Sequence, residues 1–189
     1  MSARTSRFSK WACVLVFGVF ACAHAVEYTE VNPAASTLSF TYSQMGSRVY
    51  GTFGKFVGAL DFDTTHPRDA QAKLIIDLDS IEVDDSDART ELPKPAWFDT
   101  ATYPKAIFES TRVKDLGNNH YMITGNLTLR GLTQEVEVPV QLKAENAIGI
   151  FDGELTLKRS DFKIGTGEWA DSLVSNDINI RFRIVAPER

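Results

Sequence analysis

The sequence predicts an all-β fold, either an antiparallel sandwich or a closed barrel, with about eight strands. Between Thr37 and Val185 nearly every segment alternates apolar and polar residues, which is the period of a half-buried strand. These segments are short and regularly spaced, and turn signals such as Gly117-Asn118-Asn119 connect them as hairpins. Only the stretch Arg89–Pro104 departs from the pattern. An eight-stranded barrel either fills its interior with side chains or holds one small ligand.

The first 25 residues have the pattern of a secretory signal peptide. Three basic residues precede an apolar run from Trp11 to Cys22, and Ala23-His24-Ala25 supplies the small residues of a cleavage site. The run is shorter than the roughly 20 residues that span a bilayer. A lipoprotein anchored at Cys22 is disfavoured, because Phe20 stands where a small residue is expected. We therefore expect cleavage after Ala25, a periplasmic location and a single domain over residues 26–189.

Removal of this leader limits the chemistry available to the protein. Both cysteines, Cys13 and Cys22, lie in the leader, so the remaining chain has no disulfide, thiol nucleophile or thiolate metal site. The leader also holds three of the 20 Lys and Arg residues and none of the 25 Asp and Glu residues, which leaves a net charge of −8. This charge disfavours nucleic acid and anionic membrane surfaces as partners. Lys158-Arg159 is a basic spot too short to change that balance.

Three strands are predicted in the first half of the domain. The first contains Leu38, Phe40 and Tyr42 in alternation with polar residues. The second covers residues 49–62, and its apolar phase slips at Gly54-Lys55, which indicates a bulge or a bend. The third covers residues 74–78, and the acidic stretch Asp84–Asp87 follows it as a solvated turn.

The irregular stretch Arg89–Pro104 contains three prolines and the pair Trp97-Phe98. Prolines lack the backbone donor of a ladder, so this stretch cannot be a central strand. One helical turn is expected near Ala88–Leu92. A long connection with aromatic residues in a regular β domain is usually a lid or a binding loop. We expect it to cover one end of the domain.

Five further strands are predicted after this stretch. The alternation places them at residues 106–113, 121–129, 132–142, 147–159 and 178–184. The third of these is the clearest, because Leu132, Val136, Val138, Val140 and Leu142 run opposite Glu135, Glu137 and Gln141. Tight turns at residues 117–119 and at Gly131 make hairpins of the first three.

The sequence offers no catalytic or metal-binding constellation, and we expect neither an enzyme nor a metal site. His66 and His120 lie in polar surroundings without partners at ligand spacing. The stretch Asp84–Asp87 lacks the central Gly and the final Glu of a calcium loop. Residues 165–170 match G-x-G-x-x-A, but they do not open a helix after a strand.

Large aromatic and apolar side chains are the remaining signal. An ordinary packed core explains any one of these rings. Together with the Trp97-Phe98 segment they predict an apolar pocket, because ligand pockets have mostly apolar walls. The predicted wall residues are Phe40, Tyr42, Phe53, Phe56, Phe62, Phe98, Phe108, Leu127 and Val136, with Trp97 at the mouth.

Four stretches of the chain, at residues 49–62, 97–111, 125–133 and 157–162, resemble the YceI-like family of periplasmic, lipocalin-like barrel proteins. The combination of Phe-Asp…Tyr-Pro…Phe-x-Ser with Gly-Asn-Leu-Thr-x-x-Gly-Leu-Thr is specific. The resemblance implies an eight-stranded antiparallel lipocalin-like barrel whose apolar tunnel binds a polyisoprenoid chain. An isoprenoid quinone or a polyprenyl lipid would be such a ligand, with no other cofactor and no catalytic residue.

The chain differs from many members of that family at two places. They have His-Ser where this chain has Ala35-Ser36, and Arg-Asp where it has Arg89-Thr90. If the His or the Asp holds a ligand head group in those relatives, this protein holds a different head group or none. The tunnel walls are unaffected by these differences.

Two functions therefore follow as hypotheses, and an enzyme is a distant third. The first is a periplasmic carrier of an isoprenoid-type lipid. The second is an interaction or stress-response module, in which a fully packed barrel docks a membrane redox protein through Arg89–Pro104. The oligomeric state is left open, with a dimer as one possibility.

Overall fold

The computed structural model describes residues 25–167 and 172–189 and contains an almost entirely β fold in this part of the chain. The predicted signal peptide, apart from Ala25, and residues 168–171 of the glycine-containing loop lie outside the described residues. No helix within the described ranges is long and apolar enough to cross a membrane. The strands are β1 Glu27–Glu30, β2 Thr37–Gln44, β3 Ser47–Phe53, β4 Phe56–Asp63, β5 Gln71–Asp77, β6 Ile81–Val83, β7 Lys105–Gly117, β8 His120–Leu129, β9 Leu132–Glu145, β10 Ile148–Lys158 and β11 Asp177–Pro187.

All of these strands belong to one sheet, in the order β1-β4-β5-β7-β8-β9-β10-β11-β2-β3-β6. Every ladder in it is antiparallel. The sheet curls so that β1 also meets β11, where Tyr28 bridges Glu188 and the Asn32 amide donates to the Val185 carbonyl at 2.8 Å. The prediction of an antiparallel lipocalin-like barrel is confirmed.

The described residues form eleven strands instead of the predicted eight. The predicted strand at residues 49–62 is two strands, because the chain turns a corner at Gly54-Lys55. β3 pairs with β2 and β6 on one side of the corner, and β4 pairs with β1 and β5 on the other. β1 and β6, of four and three residues, are too short for alternation to reveal. They form because neighbouring strands supply their hydrogen bonds.

The helical turn expected near residues 88–92 is present as α1, Ser86–Glu91. The Asp85 carboxylate caps it by accepting hydrogen bonds from the amides of Asp87 and Ala88, at 2.8 and 2.9 Å. A side-chain acceptor at this position satisfies amides that have no partner within the helix. The acidic stretch predicted to be a turn therefore also starts the helix.

Buried residues form three groups along the barrel. The basal cluster contains Tyr28, Phe62, Tyr121 and Phe151 among others. The central cluster packs Leu38, Phe56, Ile76, Leu127 and Phe162 with their neighbours. The cover cluster consists of Phe40, Tyr42, Val83 and Leu92.

Two aromatic rings of the interior lie flat over glycines on neighbouring strands. Phe40 is the cross-strand partner of Gly51, and Phe182 is the partner of Gly153. A Cβ atom added to either glycine would lie 2.2 Å from the Cζ atom of that ring. No real side chain tolerates so short a distance, so these glycines allow the rings to lie against the wall.

Gly153→Ala is therefore expected to lower the free energy of unfolding by about 1–3 kcal/mol, the usual effect of overpacking. Urea denaturation measures it. Gly54→Ala is the matched control, because its added Cβ would meet no atom closer than 3.4 Å. Combining Gly153→Ala with Phe182→Leu should recover part of the loss, since the second change removes the collision. Equal stability of the Gly153→Ala and Gly54→Ala variants would contradict this account.

Candidate binding cavity

The interior of the barrel contains a cavity of about 230 Å³. Its lining is almost entirely apolar and takes side chains from all three clusters, including Phe151, Leu127 and Phe40. The cavity therefore runs along the barrel from the basal cluster to the cover cluster. For comparison, an apolar cavity of about 150 Å³ stays dry and binds benzene.

Eight of the ten predicted wall residues line this cavity. They are Phe40, Tyr42, Phe53, Trp97, Phe98, Phe108, Leu127 and Val136. The other two, Phe56 and Phe62, are buried but lie outside its lining. Phe56 packs in the central cluster and Phe62 in the basal cluster. Contact of any of these residues with a ligand stays a prediction.

Aromatic rings close the basal end of the cavity. Phe62 meets Tyr121 and Phe151 edge-on, with ring centroids 5.0 and 5.3 Å apart, and Tyr28 meets Phe151 in the same way at 5.5 Å. Such edge-to-face pairs stabilise a core beyond the burial of their area. Burial raises the pKa of both Tyr28 and Tyr121, so the two hydroxyls stay neutral. Neutral aromatic side chains therefore close this end.

The stretch from α1 to Pro104, which we call the cover, closes the opposite end, as the sequence predicts for it. Leu92, Trp97 and Phe98 from this stretch line the cavity. Consecutive turns hold it in place, and in one of them the Phe98 amide donates to the Leu92 carbonyl at 2.9 Å. A Cβ atom added to Gly165 would lie 2.6 Å from the Trp97 ring, so the indole packs directly on that glycine.

Two further contacts fasten this stretch to the barrel. The Gly165 amide donates to the Ala96 carbonyl at 2.8 Å, and the Arg130 guanidinium donates to the carbonyls of Pro95 and Lys163. The cover is therefore a hydrogen-bonded part of the structure.

Arg159 is a charged residue in the cavity lining that the sequence analysis missed. It is only 5% exposed, so the prediction of a basic spot at Lys158-Arg159 is wrong for this residue. Its guanidinium donates to the carbonyls of Ile164, Gly165, Val174 and Ser175, at distances between 2.7 and 3.2 Å. These bonds solvate the charge and tie the chain on both sides of residues 168–171 to the end of β10.

A sequence signal for Arg159 did exist. Phe151, Leu155 and Leu157 of β10 all line the cavity, and Arg159 continues that period of two. An arginine in phase with inward-facing residues predicts a buried guanidinium.

Neither His66 nor His120 contributes to the cavity lining. His120 is exposed at the start of β8, and His66 is exposed in the turn after β4. The His66 Nδ1 atom lies 2.9 Å from the Asp63 carboxylate. This hydrogen bond, together with hydrogen bonds from the Thr65 hydroxyl and amide, lowers the pKa of Asp63 from 3.8 to about 2. The bond between Asp63 and His66 also raises the pKa of His66. Among the described residues, no group of three or more His, Cys, Asp or Glu could hold a metal ion.

The His66→Ala variant is expected to raise the pKa of Asp63 from about 2 toward 3.8, because the hydrogen bond from His66 is the largest cause of the shift. Carboxyl-carbon NMR titration of the two proteins measures it. The lowered pKa stabilises the fold above the ordinary pKa, and that contribution fades as the pH falls toward 2. An Asp63 pKa that is unchanged in the variant would contradict the assignment.

The two differences from the family pattern lie on the surface. Ala35 is exposed, and Thr90 is exposed on α1 with its hydroxyl bonded to the Ser86 carbonyl at 3.1 Å. Ser36 is buried and joins two parts of the barrel. Its hydroxyl donates to the Asn32 carbonyl at 2.7 Å and accepts from the Val185 amide at 2.9 Å. Neither Ala35 nor Thr90 contributes to the cavity lining.

A curled antiparallel sheet around an apolar cavity defines the class of lipocalin-like barrels. Residues 29–186 match the YceI-like domain, and the chain belongs to that family. A UPF0312 protein of Photorhabdus laumondii is 32% identical over an alignment 150 residues long, which covers 73% of this chain and 78% of that protein.

Two solved structures are similar to this fold. The crystal structure of BcnA from Burkholderia cenocepacia superposes with a TM-score of 0.80 at 37% identity, covering 83% of this chain and 99% of BcnA. A domain of Saccharophagus degradans described as polyisoprenoid-binding superposes with a TM-score of 0.64 at 20% identity. That match covers 86% of this chain and 99% of the domain, and it shows the shared fold.

Proposed function

We propose that this protein is a periplasmic carrier that holds an isoprenoid-type lipid, a polyprenyl chain or the tail of an isoprenoid quinone, inside its barrel. The observation that carries the proposal is the apolar cavity of about 230 Å³ that extends through all three clusters. A hydrocarbon chain has no hydrogen bonds to satisfy, so a wall of this kind suits it.

The driving force is the hydrophobic effect. Each Å² of apolar surface removed from water contributes roughly 25 cal/mol, and both the tail and the cavity wall contribute. The buried charge of Arg159 does not oppose an apolar ligand, because backbone carbonyls already accept its hydrogen bonds. Binding needs no chemical step, and we assign none.

Two comparisons and the N-terminal sequence support the ligand class and the location. The structurally similar Saccharophagus degradans domain is described as binding polyisoprenoids. The leader-like pattern of residues 1–25 and the YceI-like family of the chain agree with a periplasmic protein. The cavity also favours a carrier over the alternative of a fully packed docking module.

Native mass spectrometry tests the proposal. The protein is purified from the periplasm of an expressing bacterium, and its bound lipids are extracted and identified. We expect an isoprenoid lipid at about one per chain, or uptake of a quinone or polyprenol by emptied protein. Protein that stays empty after incubation with both kinds of lipid would overturn the carrier function. If Trp97→Ala also abolished capture of a membrane protein by this empty barrel, the docking module would replace it.

A further inference from the structure

The barrel wall is incomplete between β9 and β10. The ladder that joins them runs from Glu145↔Ile148 to Val140↔Gly153 and ends there. Both strands continue toward the cover, β9 to Leu132 in pairs with β8, and β10 to Lys158 in pairs with β11. Within the described residues, β9 and β10 therefore share no ladder between the Val140↔Gly153 pair and the cover.

Pro139 gives a sequence reason for this break. It is the residue of β9 next to Val140, where the ladder ends. Proline has no backbone N–H to donate, and within sheets it is confined to edges and bulges. β9 keeps its pairing with β8 through the Met122↔Pro139 position, so the strand separates on its β10 side alone.

The separation forms a surface groove of about 740 Å³ between the two strands. Four of its lining residues, Val136, Leu155, Leu157 and Phe162, also line the interior cavity. The floor of the groove is thus the wall of the cavity itself. Acidic and polar residues such as Glu135, Glu137 and Thr156 surround this apolar floor. An apolar floor with a polar rim is typical of a ligand groove.

The groove is bounded at both ends. The Val140↔Gly153 pair closes the basal side, and the Gln134 side chain donates to the Asp161 carbonyl at 3.3 Å on the cover side. The two ends of the barrel are closed more firmly, by the ring contacts of the basal cluster and by the hydrogen-bonded cover. Opening the groove between β9 and β10 breaks no hydrogen bond of a β-ladder. Opening either end of the barrel would break the ring contacts of the basal cluster or the hydrogen bonds of the cover.

We infer that the groove between β9 and β10 is a side entrance through which the isoprenoid chain enters and leaves the cavity. The inference rests on the proposed carrier function. A flexible chain passes sideways between Val136 and Leu157 into the cavity while the cover stays in place. The two strand segments beyond the ladder, residues 132–139 of β9 and 154–158 of β10, move apart to admit it.

A cross-link across the groove tests this entrance. Extending the register of the paired part places Glu137 opposite Thr156 and Glu135 opposite Lys158. The variants Glu137→Cys/Thr156→Cys and Glu135→Cys/Lys158→Cys, each with Cys13→Ser and Cys22→Ser, are joined by a short bis-maleimide. The control, Lys143→Cys/Ile150→Cys, joins cross-strand partners in the part that is already paired.

Each protein is loaded with geranylgeraniol before cross-linking, and exchange for the deuterated alcohol is followed by native mass spectrometry. We expect exchange at least about tenfold slower in both groove variants after cross-linking, with the bound alcohol retained, and an unchanged rate in the control. Cross-linked groove variants that exchange as fast as the control would overturn the side entrance but leave the carrier function intact. Failure of the parent protein to bind the alcohol, or any isoprenoid quinone, would instead remove the carrier function.

Discussion

Replacing Ala106 by tryptophan should weaken binding of an isoprenoid lipid at least about 100-fold while leaving the barrel folded. Ala106 is buried on β7, and its methyl group lines the cavity at the central cluster. An indole at this position occupies space that the proposed ligand needs. Overpacking of a filled core costs about 1–3 kcal/mol, and here part of the added volume enters the cavity, so the loss of stability should lie at or below that range.

Titration with geranylgeraniol, followed by native mass spectrometry, measures the affinity, and urea denaturation confirms the fold. Val57→Trp is the control, because Val57 is 60% exposed on the outer face of β4 and should bind the alcohol as the parent does. If Ala106→Trp bound as tightly as Val57→Trp, the ligand would not lie in the cavity.

The long strands could be predicted from the sequence because one face of each is buried and the other is exposed to solvent. β9 shows this best, with Val136, Val138 and Val140 directed inward and Glu135, Glu137 and Gln141 directed outward. The hairpin turns could also be predicted, but for a different reason. Gly117, Asn118 and Asn119 all have positive φ, which these residue types adopt most readily.

The pairing of strands that are far apart in the sequence could not be predicted from the sequence. The separation of β3 from β4 depends on which neighbours each half finds, and the slip at Gly54-Lys55 only marks where that change occurs. β1 and β6 owe their existence to partners far along the chain. Alternation cannot indicate such short segments.

The site was predictable to the extent that it consists of strand faces. Large aromatic side chains at the inward-facing positions of the strands identify most of the cavity lining. The alternation alone does not indicate where along the barrel side chains fill the interior. Phe56 and Phe62 share the inward phase with Leu60, yet Leu60 lines the cavity, whereas Phe62 packs in the basal cluster and Phe56 in the central cluster. Arg159 and Pro139 each broke a local rule, as a charge on an inward phase and a proline within a strand. Such exceptions mark structure that propensity does not explain.

Replacing Arg159 by methionine should lower the free energy of unfolding by about 3 kcal/mol or more. Methionine fills a similar volume but cannot donate, so the carbonyls of Ile164, Gly165 and Val174 lose the guanidinium as a partner. Hydrogen bonds to charged groups contribute about 1.5–3 kcal/mol each, and an unsatisfied buried acceptor is itself unfavourable. Urea denaturation should show the loss as a lower midpoint with a similar slope.

Two variants separate the bonding pattern from the charge. Arg159→Lys keeps the positive charge but not the planar fork of donors, so most of the loss should remain. Arg181→Met removes an exposed arginine whose guanidinium lies 2.8 Å from Glu154, and it should change the stability by less than about 1 kcal/mol. Full stability of Arg159→Met would show that the loop carbonyls find other donors. A stable Arg159→Lys beside an unstable Arg159→Met would show that charge alone is required at the end of β10.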